Sequence, residues 1–438
     1  MDNEILNDVV RRAKKAGMER IDILCQERNT ISASTRLVKL KKLVQADIID
    51  IKIRVSVGNR SAVITTDNSD DLKKESFLGK VIFAASNAPE EIIAIHPDVG
   101  DLCRDFPTID ICDDYRPSSE ELISAALECE ETALQISGIT NSEGAEASYA
   151  HSKITLMKNS DFLGSYTKTI SQISVVPLAE KDECLEKSYD FSEAVYWSDL
   201  KNPKQVAQKA AARTLKKLGA KKISSCKVPV VLDRMVSKQA LSNLISAISG
   251  TTIAKGISFL KDKLSQKIFS DYLNVTDRWS VARGLRSRPF DSDGLKCSDT
   301  IVVKDGVLHS FLLNTKYANQ LKMKSTNNAS GFEGISPNNI CIENGKESLQ
   351  DLLKSIRSGL YVTEVLGNGL NLVTGNYSQG AVGFWIENGE ITYPVSEITI
   401  AGNFMDMLSH CIPASDLEIE SGIDAPTLFI NEMIIGGT

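Results

Sequence analysis

The segment Val373–Met407, VTGNYSQGAVGFWIENGEITYPVSEITIAGNFMDM, decides the fold. It reads as glycine-punctuated strands with Asn388-Gly389 between two of them. An Asn-Gly pair accepts the left-handed torsions of a two-residue type I′ turn, so FWIENGEITYPV predicts strand, turn, strand. Every Asn-Gly or Asp-Gly pair of the chain lies after residue 290: Asp293-Gly294, Asp305-Gly306, Asn344-Gly345, Asn368-Gly369 and Asn388-Gly389. IVVKDGVLHSFLL (Ile301–Leu313) repeats the hairpin pattern. Residues 225–438 are therefore expected to be mostly antiparallel sheet with a few helices.

The first half has a different texture. NEILNDVVRRAKKA (3–16) places Ile5, Leu6, Val9, Val10, Ala13 and Ala16 on one helical face, and Gly17 follows as a C-cap. Ile21–Thr35 predicts a strand with an alternating start and a polar, β-branched tail. Ala46–Thr66 predicts two more strand runs around Gly58-Asn59, and 69–85 a helix. Pro89, Pro97, Gly100, Pro107 and Pro117 make Ala88–Pro117 irregular. Ser118 followed by Glu120 and Glu121 opens a helix to about Ile136, since serine caps and early carboxylates suit the helix dipole. Ser148–Val176 reads as antiparallel strands hinged near Asp161 and Gly164. Pro203–Leu218 is a basic amphipathic helix whose lysines form a solvated face. The chain breaks at Gly219–Ser225. The expected fold class is α+β. It has two domains rich in antiparallel sheet: 1–220, including a middle region about 115–220, and 225–438.

A length of 438 residues suits two or three domains and buries a core without disulfide or metal staples. Net charge is −7, with cations spread along the chain apart from KLKK at 39–42, which argues against nucleic acid as the partner. MDNEILNDVVRR lacks a secretory apolar core, and no apolar run approaches the roughly 20 residues that span a bilayer. The nine cysteines are dispersed, without C-x-x-C, which fits reduced thiols in the cytoplasm.

Metal chemistry is poorly provided for. A catalytic zinc takes about three protein ligands and one open position. The four histidines are His96, His151, His309 and His410, and the closest two are 55 residues apart. No H-E-x-x-H is present. His309 alternates into a strand and reads as a half-buried sheet residue. His410 and Cys411 would point to opposite faces of a strand, though a turn would let them converge. Asp291-Ser292-Asp293-Gly294 departs from a calcium loop, because glycine comes at the fourth position, and reads as a tight turn. The glycines of 367–383 lack the G-K-[ST] of a phosphate loop, and no G-x-S-x-G elbow occurs.

A series of fragments carries a family resemblance. Ser258-Phe259-Leu260, Lys263-Leu264, Arg288-Pro289-Phe290-Asp291 leading to Asp293-Gly294, the hairpin Ile301–Leu313, Tyr317-Ala318, Ser325–Ala329 and Val373–Met407 follow one another in order and spacing. In that order the chain resembles the TldE/PmbA side of the TldD/PmbA peptidase family, most closely from about Val228 to Asn403. On the TldD side of that family an H-E-x-x-x-H helix supplies two zinc ligands and a general base, and a later cysteine the third ligand. The resemblance matches that helix to Met235–Gly250, with Ile245, Ser246 and Gly250 at the motif positions, and the cysteine region to Gly422–Pro426. Neither Ile245 nor Gly250 can donate a lone pair to zinc, Ser246 is a poor base near pH 7, and the later region carries no sulfur.

The resemblance thus implies a subunit with no catalytic residue, metal or cofactor of its own. Zinc is expected in a TldD-like catalytic partner, and the pair would form a heterodimeric metalloprotease acting on unfolded peptides. A homodimer is an open alternative when that partner is absent, since a surface shaped for a related fold can accept a copy of itself; nucleic acid and membrane are not expected partners. Asp291, Gly294, Tyr377, Ser378, Trp385 and Asn403 are the candidates for a peptide channel or interface. Two alternatives stay open: a regulatory interaction protein, as the family's label "modulator of DNA gyrase" suggests, and an independent metallohydrolase using His309, His410, Cys411 and Asp293.

Overall fold

The computed structural model describes residues 3–90, 95–159, 161–182 and 184–438. Helix α1 (Asn3–Lys15) turns Leu6, Val9, Val10 and Ala13 inward, and Gly17 at φ +88° closes it. Ala16 falls beyond the last turn and is exposed, contrary to the expected face. Strands β1 (Arg20–Arg36) and β2 (Lys39–Val57) form one long hairpin. Gly58-Asn59 turns the chain into β3 (Arg60–Thr66), and α2 (Glu75–Ser86) follows a short 3-10 turn.

Helix α3 (Ser119–Leu134) starts on a full capping box, with Ser118 and Glu121 each bonding the other's backbone N–H. Then come β4 (Asn141–Lys158), β5 (Phe162–Lys181), β6 (Cys184–Lys187), β7 (Asp190–Ala194) and α4 (Pro203–Lys216). The strands make one antiparallel sheet in the order β3-β2-β1-β4-β5-β6, and β7 pairs with β5 beside β6.

Strand alternation gives this sheet two unlike faces. On one, Ile21, Ile23, Cys25, Ile51, Ile53 and Val55 pack under α1 and α2. Further along the same face, Ile31, Ala33, Ala147, Tyr149 and Ile173 pack under α3 and α4. On the other face, Leu24, Leu156, Phe162 and Tyr166 meet Phe290 and Phe332 from the second half of the chain. The rings of Phe162 and Tyr166 approach Phe290 edge-on at 5.2 and 5.3 Å.

The second half opens with β8 (Cys226–Leu232), α5 (Arg234–Ile248) and α6 (Gly250–Ala254). It continues with β9 (Val275–Arg278), β10 (Thr300–Lys304), β11 (Val307–Leu308), α7 (Thr315–Leu321), β12 (Ala329–Ser330), β13 (Gly334–Ile335), β14 (Asn339–Ile342) and α8 (Leu349–Lys354). It ends with β15 (Ser358–Leu366), β16 (Asn376–Glu387), β17 (Glu390–Asn403), α9 (Phe404–Ser409), β18 (Cys411–Pro413), β19 (Ile423–Asp424) and β20 (Leu428–Gly436). One sheet runs β17-β16-β15-β8-β20-β18, and β20 also pairs with β17, so it closes on itself. A second runs β11-β10-β9-β14-β19. Among the strand pairings of the described residues, β15–β8 and β14–β19 are parallel. Helix α5 buries Val236, Ala240, Leu241, Leu244 and Ile248 in the large core shared by both sheets.

The hairpins at Asp305-Gly306 and Asn388-Gly389 form with both residues at positive φ. Asn344-Gly345 and Asn368-Gly369 are not hairpin turns. A β-carbon on Gly345 would collide with the Pro413 carbonyl, and one on Gly369 with Gln379, so those glycines serve close approach. Among the described residues no helix is long and apolar enough to cross a membrane.

Candidate functional site

The second half covers only one end of the long sheet's outer face. Beyond Leu24 and Tyr166 that face stays half-open and polar. Gln26, Arg28, Thr30 and Ser32 of β1 share it, by strand register, with Ser152 and Ser148 of β4 and with Lys168 and Gln172 of β5. This floor meets a wall made by residues 281–288 and 336–339. Along its margin β7 borders a groove of about 240 Å³, lined among others by Glu193, Arg283, Gly284 and Glu420. A floor, a wall and a free strand edge make a corner that suits an extended chain.

Behind the wall lies a buried charge network that fixes the corner's angle. Arg54 sends Nε and Nη2 to Asp22 Oδ2 at 3.1 and 2.6 Å. Its Nη1 donates to the Phe332 carbonyl at 3.3 Å, and its guanidinium lies 4.7 Å from the Phe332 ring. Lys158 Nζ bridges the two halves, 3.4 Å from Asp22 and 3.8 Å from Asp293. Burial alone would raise the Asp22 carboxyl, but Lys158, Arg54 and His96 hold it well below the usual carboxylate range. Burial lowers His96.

Asp291 and Gly294 belong to this network and not to the open corner. Asp291 is buried and accepts N–H groups from Asp293, Leu295 and Ala329 at 2.9, 3.0 and 3.1 Å. Burial and the adjacent Asp293 push its carboxyl up to about 7. Gly294, at φ +78°, shapes the turn beneath Lys158 and Leu102.

Of the other expected residues, Tyr377 and Asn403 line one hollow of about 700 Å³ where β16 pairs with β17. Tyr377 is buried, its hydroxyl on Gln379, and burial raises it. Ser378 is exposed, with its N–H on the Gly369 carbonyl. Trp385 is half-buried against the C-terminal core. Asn403 caps α9, accepting from Met405 N at 3.1 Å. The structure brings none of these to the floor.

His309 is exposed and lies one residue past β11, not half-buried within a strand. His410 is exposed and held by Ser409, while Cys411 is buried with its thiol on the Leu408 carbonyl and pushed up to about 12 by burial. Among the described residues no three His, Cys, Asp or Glu side chains converge to hold a metal ion.

The positions matched to a zinc motif do not fit the ion either. Ile245 packs on the core, and Ser246 Oγ donates to the Ser242 carbonyl at 3.0 Å. Gly250 is wedged against Leu313 and Tyr317, where a side chain has no room. In 422–426 the one donor, Asp424, already accepts from Gly422 N at 2.9 Å and pairs with Lys238 at 3.0 Å.

Sequence reasoning missed Arg28, Lys168 and Glu193. The signal was present in the polar alternation of RNTISAS, but which strands would flank it was not readable.

The chain is thus an α+β body with a closed sheet and a long antiparallel sheet carrying a walled polar floor, and comparison with known proteins gives its family. Residues 113–218 match the PmbA/TldA metallopeptidase central domain, and 225–437 the PmbA/TldA metallopeptidase C-terminal domain. The chain is 32% identical to the metalloprotease PmbA of Escherichia coli O157:H7, over 99% of this chain and 96% of that one. It is 31% identical to a PmbA homologue of Haemophilus influenzae, over 98% and 94%. In structure it is similar to a proposed modulator of DNA gyrase from Bacteroides thetaiotaomicron, with TM-score 0.91 and 26% identity over 99% and 98% of the two chains. TldE from Thermococcus kodakarensis shares the fold, with TM-score 0.87 at 18% identity over 99% and 100%. The chain belongs to the PmbA/TldD metallopeptidase family, and its full-length relatives place it with PmbA.

Proposed function

We propose that this chain is the non-catalytic half of a two-protein, zinc-dependent peptidase, binding unfolded peptide while a TldD-like partner cuts it. The carrying observation is the exchange of donors for packing at the matched positions. Ile245 and Gly250 offer no lone pair, and Ser246 commits its hydroxyl to the helix backbone. The half-open polar floor beside a free strand edge supports a binding role, because main-chain hydrogen bonds to an edge tolerate many side chains. A cytoplasmic site of action accords with nine unpaired cysteines.

The test is reconstitution. An unstructured peptide is incubated with the TldD-like protein, with this chain, and with both. Chelator-sensitive cleavage should require the mixture. Equal cleavage with and without this chain would sink the proposal.

A further inference from the structure

Most cations at inner positions of this protein stand against a carboxylate. Lys201 is 2.6 Å from Glu420, Arg213 is 2.8 Å from Asp190, Lys217 is 2.5 Å from Glu364 and Lys238 is 3.0 Å from Asp424. These pairings commit Arg213 and Lys217, two of the cations lining a hollow of about 480 Å³ between α4 and β15–β17. Half-buried Lys168 breaks this pattern, and exposed Arg28 stands near it on the floor. Arg28 and Lys168 both face Ser152, one from each flanking strand, so they sit two strand spacings apart, about 10 Å. Neither has a carboxylate within 4 Å or a hydrogen-bond acceptor among the described residues. From the wall comes Arg286, with Nε on the Asn338 carbonyl at 3.1 Å and Nη2 on Ser336 Oγ at 2.5 Å. Its Nη1 has no acceptor among the described residues. Burial and the charges of Arg286, Arg288 and Arg28 all lower Lys168, with Glu193 opposing. Like charges brought this close in a partly dry corner raise the free energy of the empty protein, and a bound anion reverses that sign.

We infer that Arg28, Lys168 and Arg286 form a carboxylate-binding site at the junction of floor and wall, one that anchors an extended peptide by its C-terminal carboxylate or by an acidic side chain. This rests on the peptide-binding role proposed above and gives it a polarity. The backbone would run along the floor, and its charged group would stop at the corner. Lys168 supplies a mobile ammonium, and the two guanidinium groups supply planar forks suited to a carboxylate.

The test uses the full chain and fluorescence anisotropy with three labelled unstructured peptides. One has a free C-terminal carboxylate and no acidic residue, the second is its C-terminal amide, and the third is that amide with one internal glutamate. The free acid should bind about tenfold more tightly than the plain amide, and Lys168→Gln and Arg28→Gln should each erase that advantage, weakening the free acid more than the plain amide. Tight binding of the third peptide assigns the site to acidic side chains as well as to termini. Lys168→Gln removes a repelled charge, so it should fold with an unchanged or higher Tm. If free acid and amide bind alike and the variants alter neither, the anchor is refuted while peptide binding stands. If no peptide binds, the functional reading fails, and inorganic phosphate decides the site by itself. A Tm rise in phosphate over chloride at equal ionic strength, lost in Lys168→Gln, upholds it; no such rise overturns it.

Discussion

Replacing Asp22 by asparagine tests whether the buried network holds the sheet and the wall together. Asp22 is 1% exposed, accepts from Arg54 and pairs electrostatically with Lys158, with His96 Nδ1 at 3.2 Å. The substituted amide would keep the volume and remove the charge, leaving two cations buried with only Asp293, 3.8 Å from Lys158, on their side. Breaking one partner out of a buried pair costs about 3–5 kcal/mol. For a unit of roughly 200 residues the unfolding entropy is about 0.4 kcal/mol/K, so a loss of about 4 kcal/mol lowers Tm by about 10 °C. The transition to follow is the one that melts the long sheet, since a chain of this size need not unfold in one step.

The sign with pH is fixed by the direction of the shift. Asp22 sits below its ordinary value in the folded protein, so its contribution is complete above about pH 4 and is lost as pH falls through the folded value. His96 is also lowered, so its protonation below about pH 6.5 works against the fold as well. The gap between wild type and Asp22→Asn should therefore narrow in acid. Arg54→Met should destabilise on its own, and the double variant should be less destabilised than the sum by about 2 kcal/mol. Additive losses, or a single-variant loss below about 1 kcal/mol at pH 7, would refute the account.

Two further outcomes are expected. Glu130→Ala should loosen the β1–β2 hairpin, because its carboxylate accepts the N–H groups of Leu37 and Val38 at 2.8 and 3.1 Å. The expected loss is about 2–3 kcal/mol, with faster amide exchange confined to the turn; substituting Leu37→Asn and Val38→Gly should restore most of it. Asp291 is raised to about 7, so folding is penalised progressively as pH climbs from about 4 to 7. Asp291→Asn should lose this dependence, and urea midpoints should favour the variant more at pH 8 than at pH 5.

What could be read from sequence was what neighbouring residues decide between themselves. Asp305-Gly306 and Asn388-Gly389 form hairpins because the turn torsions are a property of those two residues. Ser118 and Glu121 cap α3 for the same reason. The turn at Leu37-Val38 was unreadable. Both residues adopt positive φ, at 51° and 56°, which leucine and valine resist, and the compensation comes from Glu130 in a distant helix. With that turn hidden, the first half of β2 was missed, and KLKK looked like a bare surface cluster. In the fold it lies on a stretch of β2 not covered by β3, which pairs only from Ile51 onward, and a bulge near Leu40–Lys42 adds to the charge in discouraging a neighbouring strand. The corner was hidden for a related reason: Arg28 and Lys168 meet only through the registers of three strands.

The same locality bears on the motif positions of helix α5. Helix α5 is held by Val236, Ala240, Leu241, Leu244 and Ile248. Of the matched motif positions, Ile245 is half-buried against that core and Ser246 is exposed. Ser246 can change with the packed stripe intact, so the core leaves the chemistry of that position open. The sheet's outer face is under the opposite constraint. Nothing in the packing requires Arg28 and Lys168 on a strand surface where serine and threonine already satisfy contact with water, and burying Lys168 near three arginines costs stability. A feature that the fold does not need, and that the fold pays to keep, is where a ligand should be sought.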